Sequence, residues 1–173
     1  CNCVGTPCSG PDCDDLGAKY QMYADCSPTD NLNPIEEASW TSCATAPNPN
    51  PARNASQHWI KYDFNDIYKF KEARVWNYNV VNQTNKGFRE VVIDYSIDGA
   101  NWLPLGGTYT WPKAPGLVDY SGFVGPNFND AKAKYILISA LNNHGDATCS
   151  GFSKITFDAA LCNTINTPCD DQD

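Results

Sequence analysis

The chain has 173 residues, a formal net charge of −8, nine cysteines and 12% aromatic residues. That length supports one domain with a full core and short extensions, and no apolar run is long enough to cross a membrane as a helix. An acidic chain without clustered Lys and Arg lacks the surface that neutralises phosphates, which excludes nucleic acid as a partner.

Residues 1–25 carry Cys1, Cys3, Cys8 and Cys13 and no hydrophobic period. Cys26, Cys43, Cys149, Cys162 and Cys169 follow, so the centre of the chain is free of cysteine. Zinc would compete for such residues, but Cys1-x-Cys3 and Cys8-x4-Cys13 match no common four-ligand spacing. Disulfides and an oxidising compartment are expected instead. The sequons Asn54-Ala55-Ser56 and Asn82-Gln83-Thr84 also suit export. Without an initiator Met or a signal-peptide pattern, the chain reads as mature or excised.

Residues 26–57 read as loops. Asn33-Pro34 before Glu36 and Glu37 predicts one helical turn capped by Asn33, and Pro47-Asn48-Pro49-Asn50-Pro51 predicts an exposed turn. Strands follow. Ile60, Tyr62 and Phe64 alternate with Lys61 and Asp63, giving one buried and one wet face. Val91, Ile93, Tyr95 and Ile97 alternate in the same way with Glu90, Asp94 and Ser96, and Asp98-Gly99 is suited to a tight hairpin turn. The segment 135–141 is apolar on both faces. The run 152–157 places Ile155 and Phe157 inward and Lys154 and Thr156 outward. No segment beyond about ten residues has a helical period. The prediction is an all-β chain folded as an antiparallel β-sandwich, most simply a jelly roll.

Trp59-Ile60-Lys61 opens one strand, Trp76-Asn77-Tyr78-Asn79 ends one with Gly87-Phe88 nearby, and Tyr95-Ser96-x-Asp98-Gly99-x-x-Trp102 forms a hairpin. The closing strand is Gly151-Phe152-Ser153-Lys154-Ile155-Thr156-Phe157. In this order the motifs resemble the discoidin family, also called F5/8 type C or galactose-binding-like domains, which includes family 32 carbohydrate-binding modules. The resemblance runs from Cys26 to Ala159. It divides the chain into a Cys-rich segment at 1–25, a sandwich at 26–160 and a Cys-containing tail at 161–173.

The resemblance implies binding without catalysis, by loops at one end of the sandwich. Three segments are candidates by position: 77–86, 141–150 and the irregular 29–46. The residues expected to bind are Tyr78, Asn79, Asn82, Asn85 and Lys86 on the first loop, and Asn142, Asn143, His144 and Asp146 on the second. Amides, one ammonium, one imidazole and one carboxylate provide directional bonds to sugar hydroxyls, with Tyr78 as a stacking face. Asn-rich loops also serve their own turns. Trp59, Trp76 and Trp102 read as core, Trp111 as exposed, and His58 as a surface or capping residue.

Many members of the family hold a structural calcium through loop carbonyls, an Asp and a Glu of the closing strand. The Glu position is Lys154 here, and an ammonium repels a hard cation. No metal or other cofactor is therefore expected, and Asp30, Glu36 or Glu37 becomes a salt-bridge partner for Lys154. Two His residues and the absence of a Gly-x-Ser-x-Gly elbow or a His-Glu-x-x-His helix argue against an enzyme. No carboxylate pair stands out for glycoside hydrolysis.

The start, Cys1-Asn2-Cys3-Val4-Gly5-Thr6-Pro7-Cys8, and the finish from Asn166 to Asp173 resemble halves of a Cys-rich linker repeat of large secreted bacterial surface proteins. On that reading Cys1 or Cys169 joins a neighbouring unit, while Cys3, Cys8, Cys13, Cys26, Cys43, Cys149 and Cys162 form internal bridges. A lipidated Cys1 is the rival reading. The expected function is a non-catalytic carbohydrate-binding or adhesive module, extracellular or at the cell surface, with glycans or glycoproteins as partners. The alternative is a structural repeat that self-associates through its termini in a fibre or array.

Overall fold

A computed structural model describes residues 39–162. The expected helical turn at Asn33 and Cys1, Cys3, Cys8, Cys13, Cys26 and Cys169 lie outside these residues, as do Asp30, Glu36 and Glu37.

Eight strands form the described structure: β1 (Trp40–Ser42), β2 (Ala46–Pro47), β3 (Ser56–Asn77), β4 (Phe88–Ser96), β5 (Leu103–Pro104), β6 (Tyr109–Thr110), β7 (Phe123–Asn143) and β8 (Ser150–Leu161). All strand pairings are antiparallel. The expected antiparallel β-sandwich is the observed architecture. Its two longest strands, β3 and β7, run through both layers. In one layer, residues 58–63 of β3 pair with 135–140 of β7, which pairs in turn with β4; β5 and β6 lie on the far side of β4. In the other, residues 68–77 of β3 lie beside β8, with β1 beyond it and the first half of β7 on the opposite side. The change of layer falls at a register shift between Asp63 and Tyr68, where Asn65 has a left-handed φ of 62°. Asn is among the residues that tolerate this conformation.

Aromatic residues fill the space between layers. Tyr62 and Phe64 meet Phe157 edge-on at 5.5 and 5.4 Å, and Phe88 meets Phe152 at 5.6 Å. Edge-to-face pairs of this kind add to burial by matching ring edges to ring faces. The predicted alternation holds for Ile60, Tyr62 and Phe64, and for Ile155 and Phe157, all buried.

It fails on β4. Asp94 and Ser96, expected on a wet face, are buried, while Ile97 is exposed. The outer face of this layer has a cover that its own period could not reveal. The segment 46–54, whose run Pro47–Pro51 was expected as an exposed turn, folds over it. There Ala46 and Pro47 form an edge pair with β3, and Pro51–Arg53 makes a 3-10 turn capped by Asn50. Asn48 donates to Ser139 Oγ at 2.8 Å, Trp59 Nε1 donates to Pro47 O at 3.1 Å, and Arg53 reaches Asp94. The Asp98-Gly99 hairpin is also looser than expected. Six residues separate β4 from β5, and only Gly99 of the pair takes a positive φ, 75°. The Asp98 carboxylate accepts from the backbone of Asn101 and Ala100 and from the Asn101 side chain, which holds its pKa far below the usual carboxylate value.

Candidate functional site

One end of the sandwich gathers the end of β3, the start of β4, the start of β7, the end of β7 and the start of β8. Three loops leave it: 78–87, 111–122 and 144–149. They are joined to one another by backbone. His144 N donates to Gly87 O at 3.0 Å and Asp146 N to Asn85 O at 3.3 Å, so the two loops singled out from sequence are neighbours. The third loop, 111–122, was not singled out. Asn77 ties it in, donating from Nδ2 to Phe88 O at 2.7 Å and to Pro112 O at 2.8 Å. Gly87 lies so near that a Cβ there would come within 2.9 Å of Asn77 Oδ1, which accounts for the glycine. From the expected segment 29–46, the described part is fastened by the Cys43–Cys149 disulfide.

Several sequence expectations are corrected by burial. Tyr78 is 0% exposed, with Lys86 Nζ 5.6 Å from its ring centroid, so no sugar can stack on it. The side chain of Asn79 is spent on the third loop, accepting from Gly116 N at 2.8 Å and donating to Leu117 O at 2.7 Å. Trp111, expected to be exposed, is 1% exposed and packs against Phe88, Phe123 and Phe152. An aromatic before a proline in a loop reads as surface from sequence, but here the strand ends leave a gap that the indole fills. Trp59 is core as expected, whereas Trp76 and Trp102 are only half-buried. Asn142 is turned to Glu90, accepting from its N–H at 3.1 Å and donating to its carboxylate at 2.5 Å. Asn143 serves its own loop, donating to Asp146 O, Cys149 O and Ser150 Oγ.

Of the nine expected residues only Tyr78 and Asn79 are buried; Asn142 is exposed and Asn143 half-buried, and five more lie on the loops themselves. Asn82 and Asn85 are exposed, and Lys86, His144 and Asp146 are half-buried. Lys113, which sequence reasoning passed over, joins them: its Nζ donates to Asn85 Oδ1 at 2.5 Å. A lysine two residues after a tryptophan carries no motif, so only the fold could nominate it. His144 Nε2 donates to Trp111 O at 3.0 Å. Burial pushes its pKa below the ordinary imidazole value, the Trp111 carbonyl opposes this, and the charges of Lys113 and Arg89 add to the lowering. The backbone N–H groups of Thr148 and Cys149 hold the pKa of Asp146 below normal, with a smaller contribution from Lys86. The sequon residues Asn54 and Asn82 are both exposed, with left-handed φ values of 44° and 61°.

The calcium question turns on Lys154. It lies opposite Trp76 with Nζ 5.1 Å from the indole centroid, and desolvation lowers its pKa. A cation packed on an aromatic face at this position supplies no ligand to a hard metal. Melting curves recorded with excess calcium and with a chelator are expected to coincide, because a ligand stabilises a fold only by binding it. A rise of several degrees in calcium would show that another carboxylate has taken the role.

No family model and no curated protein matches the sequence. Solved structures do match in shape. A family 32 carbohydrate-binding module of the Clostridium perfringens family 89 glycoside hydrolase, in complex with GalNAc-β-1,3-galactose, superposes with a TM-score of 0.50 at 11% identity, covering 78% of this chain and 81% of that one. The fold is that of the galactose-binding-like β-sandwiches. A family 89 glycoside hydrolase from the same organism, in complex with PUGNAc, also has a TM-score of 0.50, at 16% identity over 75% of this chain. The match there spans only 12% of the enzyme. An F5/8 type C domain from Bacteroides fragilis gives a TM-score of 0.47 at 16% identity, covering 80% of this chain and 86% of that one.

Proposed function

We propose that this galactose-binding-like sandwich is a non-catalytic carbohydrate-binding module of an extracellular protein, and that its ligand sits on the joined ends of loops 78–87, 111–122 and 144–149. The observation that carries the reading is the coupling of three loops around Asn85, through Lys113 Nζ and the Asp146 N–H. These loops fix amide, ammonium and imidazole groups on one surface, and sugars are recognised by such fixed, directional donors and acceptors. The glycan-bound family 32 module of similar fold supports the same class of ligand. The Cys43–Cys149 bridge fits an oxidising, extracellular setting.

Without an aromatic platform the site makes few contacts, so one copy is expected to bind weakly, with a Kd on the order of 0.1–1 mM. Tandem copies would gain avidity without new contacts. A glycan array followed by calorimetric titration tests this. Asn85→Ala is expected to weaken the best ligand at least about fivefold while the melting temperature stays unchanged, since Asn85 is exposed. Well-folded protein that binds no glycan on the array would end the reading.

A further inference from the structure

We propose that an aliphatic ridge formed by Val81, Leu117 and Val118 seats a methyl group of the glycan. It thereby selects sugars bearing a 6-deoxy or an acetamido methyl over plain hexoses. This rests on the carbohydrate-binding reading above and narrows its ligand. Val81 is 49% exposed, Leu117 62% and Val118 51%. Single exposed aliphatic residues are ordinary on a protein surface. These three share one junction between loops 78–87 and 111–122. A Cβ on Gly116 would sit 3.5 Å from Thr84 Cγ2 and 3.7 Å from Val81 Cα, so the backbone leading into Leu117 lies against the first loop. Lys113 Nζ meets Asn85 Oδ1 at the same junction, and Asn85 is next in sequence to Thr84. The apolar contacts and the polar ones therefore adjoin on a single surface.

Asn79 fixes the ridge from inside. Its Oδ1 accepts from Gly116 N at 2.8 Å and its Nδ2 donates to Leu117 O at 2.7 Å. Val80 O accepts from Gln83 N at 3.0 Å, and Thr84 O from Gly87 N at 3.2 Å. These backbone groups are spent within the protein, which leaves the aliphatic side chains to make the outward contact. The aromatic residues of the three loops are Tyr78, Trp111 and Tyr120. The first two are buried, and the hydroxyl of the half-buried Tyr120 accepts from Asn77 N at 3.3 Å. A ring plane would attract the polarised C–H groups along a whole sugar face. Aliphatic side chains have no such quadrupole and gain only in proportion to the apolar area they remove from water. The most apolar group a common sugar offers them is a methyl. A hydroxymethyl group in its place would shed water over hydrocarbon with no partner to replace it, which adds to the discrimination.

The test takes galactose, glucose and mannose, each with its 6-deoxy, 2-acetamido and 2-formamido forms, titrated calorimetrically into the full chain. A methyl-bearing form of the best-bound hexose is expected to bind about fourfold more tightly than the plain hexose, or better, as burial of one methyl group implies. Leu117→Ser and Val81→Thr should each reduce that preference to less than about twofold. Both positions are exposed, so the melting temperatures of these variants should match that of the parent chain. Ile97→Thr removes a similar aliphatic surface just past the far end of β4 and should leave the preference intact. A 6-deoxy preference alone, or an acetamido preference that the formamido sugar does not share, supports the proposal and identifies which methyl is held. Methyl-bearing sugars bound no more tightly than plain hexoses would overturn it while leaving the carbohydrate-binding reading standing. So would a preference that survives both ridge variants, or a formamido sugar bound as tightly as the acetamido one without any 6-deoxy preference. Self-association of the chain that Leu117→Ser abolishes, measured by analytical ultracentrifugation, would assign the ridge to a second copy and overturn the proposal likewise. Failure of every sugar to bind would remove both readings together.

Discussion

Arg53→Ala is expected to lower the unfolding free energy by about 3 kcal/mol, the lower end of the cost of stranding a buried charge. Asp94 is wholly buried, and Arg53 clamps it with two bonds, Nε to Oδ2 at 2.9 Å and a terminal nitrogen to Oδ1 at 2.6 Å. The guanidinium side chain is 24% exposed, so water can enter part of the space it vacates, which is why the lower end applies. The same pairing raises the pKa of Arg53, chiefly through the hydrogen bond to Asp94. Urea unfolding is the measurement, and a fall in melting temperature of about 6–12 °C should accompany it. Replacing both partners, Arg53→Met with Asp94→Leu, should restore most of the loss, because it removes the uncompensated charge along with the bond. A cost below about 0.5 kcal/mol for the alanine variant would mean that Asp94 is rehydrated and that segment 46–54 is not a firm cover.

Removing the Cys43–Cys149 bridge, by changing both residues to serine, should cost about 2–5 kcal/mol. The bridge closes a sequence separation of 106 residues, and the constraint on the unfolded chain grows with that span. A second effect is local. Cys149 ends the loop that carries His144 and Asp146, and Cys43 follows β1 directly, so the bond fixes that loop to the edge of the second layer. Without it, ordering the loop becomes part of the cost of binding, so glycan affinity should fall even at temperatures where the variant is fully folded. Thermal melting and calorimetric titration of the double variant separate the two effects. An unchanged melting temperature would sink the first, and unchanged affinity the second.

The sandwich was legible because its inward faces keep a strict period of two over several strands, at Ile60, Tyr62 and Phe64 and again at Ile155 and Phe157. Asp94 and Ser96 misled because the alternation tells only that the two faces differ. Here the second face is covered by a segment distant in sequence and rich in proline. Of the candidate site, the adjacency of the loops after β3 and β7 was legible, and the burial of individual side chains was not. Asn77 and Asn79 carry the same polar groups as Asn82 and Asn85, yet the first two hold loops together from inside and the second two face solvent. That difference comes from where each backbone position points, which no count of amide groups can reveal. Lys113 and Arg89 lacked any pattern and became visible only when loop 111–122 and the start of β4 were placed beside His144. Cys162 is disulfide-bonded, as the Cys-rich reading expects for its kind.

The passage of β3 and β7 through both layers bears on how the chain comes to be folded at all. Trp59 is hydrogen-bonded against Ser139 and Val75 against Phe123, so β3 finds its principal neighbour only in the last third of the described chain. Loop closure over such spans precedes any gain from pairing, which puts the domain among slow folders, on the millisecond-to-second scale. During synthesis from the N-terminus, a 22-residue strand whose buried positions run in three short stretches, 59–64, 68–70 and 73–77, emerges well before its partner. Lys61, Asp63, Asn65, Asp66, Lys69, Lys71 and Glu72 punctuate it at intervals, and charges of both signs along an unpaired strand discourage its joining a second copy of itself. The polar positions of β3 thus have the composition of gatekeepers for the waiting chain as well as facing water in the finished one.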